Sequence, residues 1–378
     1  MAKQKERFIS LTGLISILGI TVGVAALIVV IGVMSGFDEE LQNKIMGMNA
    51  HLVIVTDTPI KETALTELRG IEAAADFVSG QAMVSSGKEA FGVLLRGVNS
   101  ADEVKVTKIN EYLKIGHLPA GDDEVVIGSE LKKRFGLGIG GRLSILSLGS
   151  KKPIELKVCG IFTSGMYEYD LNLVMTNVNT AQRVLGLDKS ISGVALRLDH
   201  PLEAPQIKNQ LQKTLGYPYW VRTWMDMNRN LFAALKLEKL VMFIILTLIV
   251  LVACFNIAST LIMMVIEKTK DIGILKSIGA PNASIMKIFV LEGLLIGTIG
   301  SFIGGLGGLW IARLINKYPL VKIFGLQEIY YFDRLPVRIQ ATDFILVIGM
   351  AIVISLLATV YPAFKAARLN PVDALRYE

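Results

Sequence analysis

Residues 267–281 read EKTKDIGILKSIGAP. They follow 27 uncharged residues, 240–266, and precede another apolar run. A short charged element with two glycines, set between two hydrophobic stretches, makes sense only if those stretches cross a membrane. The composition says that they do. Of 378 residues, 52% are hydrophobic and 19% charged, with a mean hydropathy of +0.52, against about 25% charged in soluble domains.

A bilayer span needs about 20 mostly apolar residues, and four segments qualify. Residues 8–37, 240–266 and 344–364 carry no charge, and residues 288–312 carry one, Glu292. Lys3, Lys5 and Arg7 precede the first run as in a signal peptide. A signal's apolar core is only about 7–15 residues long, so this longer run is expected to stay as an anchor. Basic residues in short segments set orientation. Lys3, Lys5, Arg7, Lys268, Lys270, Lys276, Lys365, Arg368 and Arg376 make nine on one side; Lys317, Lys322, Arg334 and Arg338 make four on the other. Both termini and the 267–281 element are therefore expected in the cytoplasm. The net charge of +6 is expected to meet anionic lipid there rather than nucleic acid.

The same topology places residues 38–238 outside, enough for a core of their own. Residues 38–46 read as helix continuing out of the first span. Strand-like runs lie at 51–55, 91–98, 124–127, 143–148, 154–162, 171–175 and 193–198, with helical stretches at 130–135, 179–185 and 202–215. Trp220 and Trp224 open a last stretch that reads as one helix running unbroken into the second span. The expected fold is an α-helical membrane protein with four transmembrane helices plus a large α+β domain inserted between the first and second. Cys159 falls in that domain and Cys254 in the second span, so they cannot pair within one chain.

No motif points to catalysis or to a cofactor. Gly136, Gly138 and Gly141 satisfy G-x-G-x-x-G, but a helix precedes them and a strand follows, the reverse of the dinucleotide arrangement. His51, His117 and His200 have no ligand-like spacing to one another or to cysteine and read as surface or turn residues. There is no G-x-S-x-G and no phosphate-cradling P-loop. The chain reads as a non-enzyme.

Within the spans, the pairs Gly293/Gly297, Gly300/Gly304 and Gly304/Gly308 are each four apart, as are Gly19/Gly23 and Gly32/Gly36. Such pairs let helix backbones approach closely, within a bundle or across a dimer. Glu292 is an ionisable group inside a span, open to a functional role or to bonding with a neighbouring helix. Asn256 reads as an interhelical hydrogen-bonding residue. In the opening element, residues 267–277 can form a short helix with Lys270, Ile274 and Ser277 on one face and Ile272, Leu275 and Ile278 on another. Gly279 and Pro281 then stop it. On physics alone, a docking peg for a cytosolic partner and an ordinary basic loop fit equally.

EKTKDIGILKSIGA closely resembles the coupling-helix signature of ABC transporter permeases of the FtsX/MacB type. Three further stretches resemble the LolC/LolE permeases of the lipoprotein-releasing system. They are ISLTGLISILGITVGVAALIVVIGVMSGFDEELQNKIMGMNAHL, NRNLFAALKLEKLVMFIILTLIVLVACFNIASTLIMMV and the tail YPAFKAARLNPVDALRYE; GIFTSGMYEYDLNLVMTNVNTAQ in the external domain agrees. The resemblance implies an inner-membrane permease subunit with a periplasmic domain, a LolD-type ATPase below it and a second permease subunit beside it. It also implies lipoprotein substrates passed to a LolA-type carrier. Lys270, Asp271, Ile272, Gly273, Ile274, Leu275, Lys276, Gly279 and Ala280 would be the ATPase-coupling residues. Relatives usually carry a further amphipathic helix before the first span, and LolC-type subunits a longer hook where this chain has the short turn LGSKKP. The short turn implies a LolE-like role, or a partner subunit that supplies the hook.

Expected boundaries are 1–37 for the cytoplasmic start and first span, 38–238 for the periplasmic domain, 239–266 for the second span and 267–284 for the coupling helix. The third span takes 285–315, a periplasmic loop 316–343, the fourth span 344–364 and the cytoplasmic tail 365–378. A lipoprotein's acyl chains need a lateral apolar path. Val30, Val33 and Met34 on the first span, with Met242, Phe243 and Leu246 on the second span of a partner subunit, are expected to line it. The alternatives are an FtsX-like scaffold that signals to periplasmic partners and a MacB-like exporter subunit.

Overall fold

The computed structural model describes residues 2–56, 70–87, 89–147, 152–319 and 334–369, with the side chains of all of these but 2–12, 246, 250 and 254. The chain forms two compact units, one holding the apolar helices and one being essentially Glu40–Ala233. The turn at 148–153 falls mostly outside the described residues, as does the tail beyond residue 369.

Among the described residues, four helices are long and apolar enough to cross a membrane. They run Ala2–Met48, Arg229–Glu267, Asn282–Lys317 and Ala341–Ala367. In hydrocarbon, apolar side chains gain little by meeting one another, so packing needs close backbone approach. The third helix supplies it on two faces. Side chains added at Gly300, Gly304 and Gly308 would run into Ile20, Thr21, Val24, Ala25 and Ile28 of the first helix. Those added at Gly293, Gly297 and Gly305 would meet Thr359, Ser355, Ile348 and Phe344 of the fourth. Thr21 Oγ1 also donates to the Gly300 carbonyl at 3.2 Å. In the first helix, Gly19 faces Asn256, whereas Gly32 and Gly36 make room for residues 336–339. There the Arg338 amide donates to the Gly32 carbonyl at 2.8 Å.

The enclosure of the spans is uneven. Of its most apolar window, 44% is buried in the third helix and 7% in the second. The second helix is therefore the one that a single chain encloses least, followed by the fourth at 17%.

The external unit is a ten-stranded mixed sheet with helices packed on it. The strands are β1 Leu52–Val55, β2 Ile71–Ser86, β3 Glu89–Val98, β4 Leu113–Gly116, β5 Glu124–Gly128, β6 Arg142–Leu146, β7 Ile154–Phe162, β8 Leu173–Asn177, β9 Gly193–Leu198 and β10 Trp220–Thr223. Their order is β10-β1-β9-β2-β3-β8-β5-β7-β4, with β6 bridging β2 and β7. β3–β8 and β5–β7 are parallel. Leu52 and Ile54 enter one core cluster while Val53 enters the other, so both sheet faces are covered. Ile45 and Met48, at the end of the first helix, are buried one in each of these clusters. The Ser129–Phe135 helix ends on Gly136 at φ +63, which accounts for the glycine-rich run after it.

Several sequence expectations are corrected. β2 escapes a propensity reading because IEAAADFVSGQAMVSS is rich in alanine and serine, yet it pairs with β9, β3 and β6 and is the spine of the sheet. Trp220 lies in β10 and is exposed, while Trp224 is fully buried, donates Nε1–H to the Pro201 carbonyl and meets the Phe232 ring edge-on. The helix from Trp224 is not continuous. It breaks at Asn228 between Trp224–Met227 and Arg229–Glu267. His51 is not a surface residue: it is 6% exposed and its Nδ1 accepts from the Leu198 amide. Burial pulls its pKa down to about 4, keeping the ring neutral.

The glycine contacts give a paired prediction. A Cβ on Gly304 would lie 2.6 Å from the Thr21 carbonyl oxygen, whereas one on Gly307 meets nothing within 4 Å. Gly304→Leu is expected to cost about 1–3 kcal/mol by overpacking and to lower the thermal midpoint of the detergent-purified chain. Gly307→Leu should stay near the parent, and equal losses from both would refute the packing argument.

Candidate functional site

The element between the second and third spans folds as a short helix, Thr269–Ser277. The second helix ends at Glu267, and Thr269 Oγ1 bonds back to the Val265 carbonyl at 2.9 Å. At the other end Gly279 takes φ +99. Its amide then reaches the Lys276 carbonyl at 3.0 Å, and the Ala280 amide reaches the Leu275 carbonyl at 3.0 Å. This is the pairing of a Schellman stop, which requires a left-handed residue where Gly279 sits. Pro281 then leads directly into the third helix.

One side of the short helix is committed inward. Ile272 is 3% exposed and packs with Val265, Ile285, Phe289, Ala363, Ala366 and Ala367. Gly273 is buried beside it and Ala280 rests on the same cluster. Ala363, Ala366 and Ala367 bring the end of the fourth helix into the same cluster. Lys276 completes the attachment. Its ammonium donates to the carbonyls of Ala367 and Leu369, both at 2.7 Å. These lie at the C-terminal end of the fourth helix, where carbonyls lack intrahelical partners and positive charge is favoured.

The other side faces outward. Ile274 and Leu275 are 44% and 43% exposed, and Ile278 is 79% exposed. Lys270 and Asp271 are exposed too, and Asp271 pairs with Lys268 at 3.1 Å. The expected grouping of Ile272 with Leu275 and Ile278 is therefore split: Ile272 goes into the core, and Ile274 joins the outer pair. Sequence reasoning also missed that Lys276 clamps another helix. The partner carbonyls lie 91 and 93 positions away, beyond any local pattern.

The remaining singled-out residues lie in the spans. Ser16 Oγ donates to Asn256 Oδ1 at 3.3 Å and shares a 2.5 Å bond with Thr260 Oγ1, tying the first and second helices. Glu292 is half-buried on the third helix. Val30 and Phe243 are exposed, and Val33, Met34 and Met242 partly so; the Leu246 side chain lies outside the described set. Within one chain these positions do not join the helix-packing cluster around Ile20, Val24 and Leu261. On the external unit, an open apolar groove of about 590 Å³ is lined by Met83, Val93, Leu94 and Leu146. Sequence reasoning missed this as well, because one wall of the groove, Gln81 to Met83, belongs to the unrecognised strand β2.

Comparison with known proteins places these features together. The description "MacB-like periplasmic core domain" matches residues 14–214, and "FtsX-like permease C-terminal" matches residues 243–371. The lipoprotein-releasing system transmembrane protein LolC of Neisseria meningitidis serogroup B is 34% identical, covering all of this chain and 97% of the relative. LolE of Haemophilus influenzae is 28% identical, covering 99% of this chain and 96% of the relative. Among solved structures, the periplasmic region of MacB from Actinobacillus actinomycetemcomitans is similar at 14% identity and a TM-score of 0.34. It covers 51% of this chain and 97% of that one.

Removing the Lys276 charge should loosen the short helix. Hydrogen bonds from a charged donor contribute about 1.5–3 kcal/mol, so Lys276→Met is expected to speed amide exchange in residues 269–277 by about tenfold or more. Lys270→Met, on the exposed side, should leave exchange unchanged. Identical exchange in the two variants would show that the clamp carries no load.

Proposed function

The chain belongs to the LolC/LolE family of lipoprotein-releasing permeases, and we propose that it is the membrane subunit through which ATP hydrolysis lifts lipoproteins out of the inner membrane. The observation that carries this reading is the short helix Thr269–Ser277. Three apolar side chains, Ile274, Leu275 and Ile278, face outward at the end of a membrane helix, while Ile272 and Lys276 fasten the same helix to the fourth span. An apolar patch that is both exposed and firmly backed suits a partner that pushes. In this reading the partner is a separate LolD-type ATPase, the chain itself hydrolyses nothing, and both termini and residues 267–284 are cytoplasmic.

A second permease subunit would cover the sparsely enclosed second span. Lipoprotein acyl chains would enter between the first span of one subunit and the second span of the other, past Val30, Val33, Met34, Met242, Phe243 and Leu246. Flexible methionine and flat phenylalanine side chains adapt to chains of varied shape. Motion would reach the periplasmic domain through the first and second helices, and cargo would leave for a LolA-type carrier. The groove at Met83, Leu94 and Leu146 offers apolar shelter outside the spans for a cargo whose acyl chains must avoid water.

Two experiments test this reading. Ile274→Asp places a carboxylate in the proposed contact, where an unpaired buried charge costs several kcal/mol. The variant should insert normally but fail to co-purify the ATPase, and normal recovery would count against docking there. Photo-crosslinkers at Met34 and Phe243 should form lipoprotein adducts that disappear when ATP drives release. Equal adducts from the exposed Leu346 on the fourth span would show the path to be misplaced.

A further inference from the structure

Three metal-ligating side chains that are far apart in the sequence meet in the external unit. The ligand atoms of His117, Glu124 and Cys159 all lie within 4.8 Å of one another. The backbone builds this meeting. Gly116, at φ +86, and Gly160 let β4 and β7 approach more closely than side-chain-bearing residues allow, and the His117 amide bonds to the Cys159 carbonyl at 3.1 Å. Glu124 opens β5, which pairs with β7 on its other side. The three ligands therefore stand on or next to three adjacent strands.

The hydrogen bonds around them orient each ligand. His117 Nδ1 faces the Leu118 carbonyl at 2.9 Å and so must carry a proton. That leaves Nε2 to face Glu124 Oε1, 3.9 Å away. Nε2 and Oε1 thus face one another across a gap that a small cation can bridge. The other Glu124 oxygen, Oε2, accepts from the Ala120 and Gly121 amides at 2.8 and 2.9 Å, which fixes the carboxylate's orientation. Cys159 Sγ lies 3.5 and 3.4 Å from the His117 and Val125 carbonyls, to which its S–H donates. A ring nitrogen whose other N–H is held by a carbonyl, and a carboxylate whose second oxygen is held by amides, are the supports found behind bound metals.

We propose that His117 Nε2, Glu124 Oε1 and Cys159 Sγ bind a borderline-soft divalent cation, Zn²⁺ by its preference for nitrogen, sulfur and oxygen donors together. Ligand atoms in a tetrahedral zinc site stand roughly 3.3–3.8 Å apart, so closure needs about 1 Å of movement, which the exposed His117 ring can supply. Binding forms the Sγ–metal bond and releases the thiol proton to solvent. Three protein ligands leave a fourth position for water. The cation would staple β4, the last strand of the sheet, and the 117–124 loop to the strands beside them.

The test uses the full chain in detergent, in a Cys254→Ala background and with an affinity tag free of histidine. Co²⁺ reports on the site through its thiolate charge-transfer and tetrahedral d–d absorption, and Zn²⁺ should displace it. Stoichiometric Co²⁺ binding with both absorptions is expected, together with a higher thermal midpoint in Zn²⁺. His117→Ala, at an exposed side chain that leaves the fold intact, should weaken binding by more than the roughly 10–100-fold that loss of an outer support costs. Cys159→Ser should abolish the charge-transfer band. Absence of that band in the parent, or its survival in His117→Ala, would overturn the proposal.

Discussion

A leucine beside a leucine in a bilayer is little better off than a leucine beside a lipid tail, so helices there are held by how closely their backbones can come. In this chain that constraint is met by the third span. It accepts the first helix along Gly300, Gly304 and Gly308, and the fourth along Gly293, Gly297 and Gly305. The fourth helix in turn carries the short helix, through Ala363, Ala366, Ala367 and the two carbonyls that Lys276 caps. The short helix is thus packed against both the third span, at Ile285 and Phe289, and the fourth. The second span, joined to the short helix by sequence, is the least enclosed of the four.

Most of the architecture could be read directly. A charge-free run of span length fits a bilayer and little else, and Gly279 with Pro281 marks the end of the short helix whatever its role. What could not be read falls into two physical classes. Local propensity was overridden at β2, where alanine and serine form a strand because neighbours on both edges require one. It was overridden again at Trp220, which ends in an edge strand instead of a helix. The second class is long-range proximity. Nothing near Lys276 announces that its ammonium reaches Ala367, and nothing in the spacing of His117 and Cys159, 42 positions apart, announces that β4 and β7 are neighbours. The helical period predicts which residues share a face. It does not predict which face meets protein, and for that reason Ile272 parted from Leu275 and Ile278.

The external domain shows the same economy in a watery setting. Both faces of its sheet are covered, one cluster holding Ile45, Leu52 and Trp224 and the other Met48, Val53 and Phe77. The end of the first helix and the approach to the second are thus part of the domain's own core rather than tethers to it.

The Lys276 clamp also bears on how the protein is made. The ammonium emerges from the ribosome 91 and 93 positions ahead of the carbonyls that receive it. At the usual elongation rate of about 5–20 residues per second, that is a delay of roughly 5–20 s. During this interval the short helix has its exposed isoleucines but neither its anchor nor the alanines beneath it. A nascent chain lacking the fourth helix therefore holds the short helix without its backing, and the element is fixed in place only when the last span has been made.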